Sequence, residues 1–392
     1  MSQHLPGKKL FGRSLLSWLL LFCVVLSGLF ASSALAEGEN GVTGVVKPKV
    51  YTLAPRQVSD SPKLIEYSMP TKYSMPFALA VAKDNKIWIT LMSAHTLALL
   101  DPVTNELKEY RIPSTEGIPT IGWKYDPRNR VIPDETFTNY SIGNPASVIV
   151  DKTGDVWFVM QLGNSVVRFN PEKEEFTEFI VPVKNAQPYD LVADSKGKIW
   201  FINKNAGSIG YLDPARQKMG ALKLPRGTNM MGITVDKNDK IWVGDVTSNT
   251  IGRYDPETKK IRKFPINIPM AQPGQMKFGP NGILWFCALR SQQLGSMFTD
   301  RGIIAMTDLP GYNTVPQALA PAKDGKIWFV DSMTNKYGYF DSLKVRWEMF
   351  DIKRANAQPM DIVVDNNDDL WFTQSDRDAN SIVKIVNSTV PE

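Results

Sequence analysis

The sequence predicts an all-β fold: a seven-bladed β-propeller of four-stranded antiparallel blades, the last blade closed by an N-terminal strand. Three observations carry this. A tryptophan phrase recurs seven times at a near-constant interval. Each interval holds the same run of short alternating strands and turns. One strand-like segment stands alone near the N-terminus, while the last repeat lacks its fourth strand.

The phrase is Ile87-Trp88, Val156-Trp157, Ile199-Trp200, Ile241-Trp242, Leu284-Trp285, Ile327-Trp328 and Leu370-Trp371. The tryptophans are spaced by 69, 43, 42, 43, 43 and 43 residues, and they account for seven of the ten in the chain. A period near 43 with four strands per unit is the signature of propeller blades. The long first interval marks an insertion over residues 114–141, holding Trp123, Tyr125, Phe137 and Tyr140. An insertion of that length on a rigid scaffold is expected either to cap the channel mouth or to form a peripheral loop with its own aromatic mini-core.

The unit at Pro188 shows the grammar. An opening proline starts an alternating run to Asp194, Ser195-Lys196-Gly197-Lys198 makes a turn, and Ile199 to Asn203 forms the tryptophan strand. A polar loop, a third strand at Ile209–Leu212 and a fourth at Leu222–Leu224 complete the unit. Alternation broken by Gly, Asn, Asp and Lys turns is an antiparallel meander. The tryptophans read as core, packing between neighbouring sheets. After Ile382–Ile385 the last unit has no fourth strand, and Leu64-Ile65-Glu66-Tyr67-Ser68-Met69-Pro70 resembles the fourth strands elsewhere. It is expected to close the ring and remove an exposed edge.

The domain reading is a signal peptide at 1–36, an N-terminal extension at 37–60 and the propeller at 61–392. Lys8, Lys9 and Arg13 precede an apolar run from Leu15 to Phe30, and Ala34-Leu35-Ala36 offers a cleavage site before Glu37. That order is a secretory leader, and its apolar run is shorter than a membrane span. The expected location is periplasmic or secreted. Loss of three positive charges with the leader takes the formal +5 to about +2, too little for a nucleic-acid footprint. Cys287 is then the only cysteine, so no intramolecular disulfide can form. The expected state is a monomer, free of nucleic acid and of membrane, that meets a small polar ligand or a periplasmic protein.

The topology places three features on one face, the top: the residues around the opening proline, the residue three past each tryptophan, and the following loop. Ser208-Ile209-Gly210 after Ile199-Trp200-Phe201, and Thr250-Ile251-Gly252-Arg253 after Ile241-Trp242-Val243, resemble the blades of the streptogramin B lyase (virginiamycin B lyase) family. The resemblance covers residues 64–387. It implies a seven-bladed fold and elimination at the ester bond of a cyclic depsipeptide. It also implies a histidine just after an opening proline, a glutamate three past a tryptophan, and a magnesium ion between them. Here the first position holds Phe77, Ala146, Tyr189, Met231, Gly274, Gln317 and Met360. The second holds Leu91, Met160, Asn203, Asp245, Ala288, Asp331 and Gln374. Neither pattern is present, and the only histidine after the leader is His95, in a top loop of the first blade.

Other polar residues are expected around the channel. Gln187, Asp190, Asn203, Gln272, Gln275, Gln317, Gln358 and Asp361 are the candidate ligand-binding set. Asp190, Asp245, Asp331 and Asp361 are the candidate metal ligands, since calcium and magnesium take oxygen shells of this kind. Asp245, Asp331, His95 and Tyr189 are the candidate catalytic groups. No phosphate loop, Cys/His metal spacing or serine elbow is present. The expectation is an exported binding or scaffold propeller. The alternatives are a metal-dependent C–O lyase or lactone/ester hydrolase with a rebuilt site, and an envelope assembly protein.

Overall fold

The computed structural model describes residues 42–113, 122–125, 131–134 and 143–386. The expected leader lies outside the described residues. So does most of the insertion, of which two paired strands, Gly122–Tyr125 and Val131–Asp134, are described.

Seven antiparallel sheets follow one another as blades. Blade one starts at Pro76–Val81, blade two at Pro145–Val150, blade three at Pro188–Ala193 and blade four at Met230–Val235. Blades five to seven start at Pro273–Phe278, Pro316–Pro321 and Ile362–Val364. Each of these innermost strands packs against its neighbours on both sides, and the seventh returns to the first, so the ring is closed around a channel. The only helix among the described residues is a single 3-10 turn at Pro214–Arg216.

The second strands show why the tryptophan phrase repeats. Each runs between two neighbouring sheets, and its tryptophan is at most 4% exposed. The rings meet aromatic partners across blade boundaries: Trp88 lies 5.5 Å from Phe169, Trp200 5.8 Å from Tyr254 and Trp242 6.2 Å from Phe278. In four blades a buried indole also needs an acceptor, and an aspartate six residues earlier supplies it. Asp151, Asp194, Asp236 and Asp365 take the N–H of Trp157, Trp200, Trp242 and Trp371 at 2.8–3.0 Å. The other carboxylate oxygen accepts backbone N–H groups of the bottom turn, as from Asn238 and Lys240 onto Asp236. One side chain thus fixes the turn and anchors the core ring. Blades five and six carry Gly279 and Ala322 at this position, and Trp285 and Trp328 have buried, unpartnered Nε1 atoms.

The ring closes as the lone N-terminal strand predicts. Lys63–Ser68 pairs with Ser381–Val386, in register from Ser68 opposite Ser381 to Lys63 opposite Val386. Asn380 seals the joint: its Oδ1 accepts from Ser74 Oγ and Met75 N, and its Nδ2 donates to Thr71 O.

Residues 42–60 do more than extend the chain. Val42–Val45 adds a fifth strand to blade two, Lys49–Thr52 to blade one and Arg56–Asp60 to blade seven. Pro48 and Pro55 fall where the strand passes from one blade to the next. The segment is a strap over three consecutive outer edges, and those blades have five strands where four were expected.

Two outcomes test this. Deletion of residues 37–70 removes the strap and the closing strand, and is expected to abolish the cooperative melting transition; a truncated protein melting like the intact one would refute the closure. Asp236→Ala leaves Trp242 Nε1 and two turn N–H groups without acceptors. It is expected to cost about 1–3 kcal/mol, read as a lower denaturant midpoint.

Candidate functional site

Just inside the opening residues, the innermost strands slip register against their second strands, between Pro188 and Asp190 in blade three and between Pro316 and Ala318 in blade six. Such bulges leave backbone groups without ladder partners and re-aim side chains. Here they turn the residues after the opening proline into the channel mouth. The cavity there has a volume of about 70 Å³. Phe77, Tyr189, Met231, Gly274, Gln317 and Met360, all in the position just after the opening residue, line it together with Leu289. Ala146, the seventh member of that set, is fully buried. Ser147, Asp190, Gln275 and Asp361, one residue further along, also line it.

The polar groups of this second layer are spent on joining blades. Asp190 Oδ1 accepts from Ser147 Oγ of blade two at 2.6 Å, and its Oδ2 from Ile233 N of blade four at 3.2 Å. Gln275 Oε1 accepts from Leu319 N of blade six at 2.8 Å. Asp361 Oδ2 accepts from Leu79 N of blade one at 2.9 Å. In each case the side chain satisfies an N–H on the unpaired inner edge of another blade's innermost strand. Gln275 Nε2 then donates to Asp361 Oδ1 at 2.9 Å, and Lys277 Nζ to Ile362 O at 3.2 Å, linking blade five to blade seven. Blade four has Gly232 at this position, and a Cβ there would lie 2.2 Å from Gly274 O. Only glycine allows that backbone approach, which takes the place of a side-chain link.

The electrostatics follow from the enclosure. Burial, with a smaller contribution from the Asp361 charge, pushes the Asp190 carboxyl up to about 6 against the hydrogen bonds that favour its ionised form. Burial and the same two carboxylates raise the Tyr189 hydroxyl to about 12. Lys204 stands with its Nζ 4.6 Å over the Tyr189 ring, and burial lowers its pKa.

The remaining sequence candidates lie elsewhere. Asp245 and Asp331 do not line the mouth; each caps its own top loop. Asp245 Oδ1 accepts from Thr247 N and Ser248 N, and its Oδ2 from Ser248 Oγ and from Lys263 Nζ at 3.3 Å. Burial would raise its pKa, but these partners hold it below the usual carboxylate range. Asp331 repeats the pattern with Val315 N, Met333 N, Thr334 N and Thr334 Oγ1. Asn203 is fully buried and donates to Ser208 Oγ in the same kind of loop. Gln187, Gln272 and Gln358 adopt left-handed backbone (φ 52°, 55° and 47°) before their prolines, and their carbonyls accept from Lys204 N, Leu289 N and Ser375 N. They build the turn into the channel and do not line the cavity.

The four aspartates therefore do not form one metal shell. Among the described residues no three His, Cys, Asp or Glu side chains converge on a point. Asp190 and Asp361, the two that share the mouth, already accept from backbone and side-chain donors on both oxygens. The magnesium implied by the resemblance does not fit this donor set.

His95 has a structural explanation that the sequence hides. Asn164, Asn249 and Asn335 each stand in left-handed backbone before a third strand, and each Oδ1 accepts the N–H of Ala186, Ala271 or Ala357 at 2.7–2.9 Å. His95 takes this place in blade one (φ 50°), and Gly143 takes the alanine's place opposite. A Cβ on Gly143 would lie 2.3 Å from His95 Cε1, so ring and backbone touch. The ring is 3% exposed, and neither of its nitrogens has a hydrogen-bond partner among the described residues. Burial, helped by the Arg111 guanidinium, pushes its pKa from 6.5 down to about 4.

Comparison with known proteins agrees with this architecture. A family model described as the Virginiamycin B lyase family matches residues 130–390. The crystal structure of selenomethionine-substituted virginiamycin B lyase from Staphylococcus aureus superposes with a TM-score of 0.71. It is 23% identical, over 82% of this chain and 98% of its own. A catalytically inactive virginiamycin B lyase from the same organism, with quinupristin, gives 0.70 at 23% identity over 82% and 98%. YCF48 bound to D1 peptide gives 0.59 at 11% identity over 87% and 97%. No curated protein sequence matches significantly.

The His95 environment predicts a pH dependence. Its folded pKa lies below its unfolded value, so the stability is complete above about pH 6.5 and is lost as pH falls through 4. At about 1.4 kcal/mol per pKa unit, the loss approaches about 3 kcal/mol. His95→Asn restores the residue used in blades two, four and six. The expected outcome is a shallower fall in denaturant midpoint between pH 7 and pH 4, with the same strand content by circular dichroism.

Proposed function

The chain belongs to the virginiamycin B lyase family, and from that premise we propose that it is an exported propeller that binds a small polar ligand or a periplasmic protein at its channel mouth, without the family's elimination chemistry. One observation carries this reading. Six of the seven positions that follow an opening residue line the mouth, and they hold Phe77, Tyr189, Met231, Gly274, Gln317 and Met360. Elimination needs a base beside the proton it removes, and the family's histidine has no counterpart in this set. Aromatic and thioether side chains supply adaptable contact surface instead. The carboxylates below them hold blades together, so the floor gives the mouth its shape while the rim meets the ligand.

The second reading is a metal-dependent C–O lyase or lactone/ester hydrolase with a rebuilt site. Asp190 favours it: a carboxyl near pKa 6 at a cavity floor is suited to acid–base work close to neutral pH. Asp190 would have to give up Ser147 or Ile233 to act.

Quinupristin, the compound in the relative's crystal, separates the two. Incubated with the purified protein with and without magnesium, it is expected to keep its ring by mass spectrometry, and neither magnesium nor calcium is expected to raise the melting temperature. Ring opening, or a metal-dependent rise lost in Asp190→Asn, would overturn the binding reading in favour of the enzyme. Export has its own check: protein recovered from the periplasmic fraction is expected to begin at Glu37.

A further inference from the structure

Between blades six and seven lies an open cleft of about 590 Å³, within the size range of small-molecule sites, roughly 300–1,000 Å³. It shares no lining residue with the channel mouth. One wall is the strap strand Arg56–Asp60, which lies outside the residues matched by the family model. The opposite wall is Ile352–Arg354, leading out of blade six, and the floor is the blade-seven face carrying Leu64, Phe372, Gln374 and Val383.

Three features of the lining define a ligand. The first is charge: Arg56, Lys353 and Arg354 face a single carboxylate, Glu66. Glu66 is 4% exposed and already saturated, by Arg56 Nη2 at 3.0 Å, Arg354 Nε at 3.0 Å and Ser381 Oγ at 3.0 Å. The cleft therefore carries net positive charge. Arg56, with its side chain 72% exposed, spends one donor on Glu66 and has others in its fork to offer. The second is Gln374, which is 3% exposed and whose Oε1 is buried without a hydrogen-bond partner among the described residues. An unsatisfied buried acceptor is costly, and a ligand N–H would relieve it. The third is the apolar floor between these two groups, made by Phe372, Val383 and Leu64.

We propose that this cleft is a second binding site, for a small carboxylate that carries an amide N–H and an apolar body, the chemistry of an N-acyl amino acid. The carboxylate takes the open side of the Arg56 fork as a charge-assisted pair. The N–H donates to Gln374 Oε1, and the apolar body covers Phe372 and Val383. The strap closes the outer side, so the site depends on residues that precede the propeller repeats.

The probe is N-acetyl-L-phenylalanine, titrated into the purified protein by calorimetry, with N-acetyl-L-phenylalanine amide as the analogue lacking the carboxylate. Saturable binding of the acid, with the amide at least about tenfold weaker, is expected. Arg56→Gln, an exposed change that leaves Glu66 paired with Arg354, is expected to weaken the acid about tenfold at unchanged melting temperature. Gln374→Met removes the acceptor and is expected to weaken acid and amide alike. Tyr189→Ala, at the mouth, is expected to leave binding intact. No saturation by about 10 mM, equal affinity in Arg56→Gln, or loss of binding in Tyr189→Ala would each overturn the proposal. The last would place the probe in the mouth.

Discussion

The ring depends on how the inner edges of its blades are satisfied. Seven innermost strands converge on the channel, and six of them slip register where they enter. The N–H groups on their unpaired inner edges need acceptors. The neighbouring blade provides them, through Asp190 to Ile233, Gln275 to Leu319 and Asp361 to Leu79. Thr90 joins blades one and two in another way: it accepts from Ala78 N of its own blade and donates to Ala146 O of blade two. Polar residues that look like a reaction centre in sequence are thus the fastening of the ring. Their removal would loosen a joint between two blades before it touched any chemistry.

This division of labour explains the character of the mouth. Where the deep layer is committed to structure, the layer above is free to vary, and it is there that the family resemblance implies a histidine. In this chain that layer is aromatic, thioether and amide. A wall of fixed shape with an apolar rim suits recognition, and the same scaffold with a histidine on the rim suits elimination.

Much of the fold was legible because it is written seven times. The tryptophan phrase, the opening prolines and the orphan strand at Leu64 each mark a packing need that recurs in every blade. The strap was not legible. Its strands are four or five residues long and join blades through backbone bonds, which impose little pattern on side chains. Within the site, six of the seven residues just after the opening residue line the mouth. Spacing does not say where a carboxylate's oxygens point. Asp190 and Asp361 point to neighbouring strands, and Asp245 and Asp331 point back into their own loops. For the latter pair a signal existed: Ser248 and Thr334 stand three residues on, the mark of a side chain that caps its own turn. His95 was hidden for a different reason. Four of its six sister residues are asparagines, so its role shows only when the left-handed positions of all blades are aligned in space.

The closing joint has a consequence for how the protein is made. Ser381 bonds to Glu66 across 315 positions of sequence. At typical synthesis rates the first strand is finished roughly 15–60 s before its partner exists. An unpaired strand left waiting that long is an invitation to bind something else. Its neighbours in the strap have an earlier appointment. Lys49–Thr52 and Val42–Val45 belong on blades one and two, the first to be completed. Once those blades form, the strap can moor the waiting strand beside the gap that the last blade will fill.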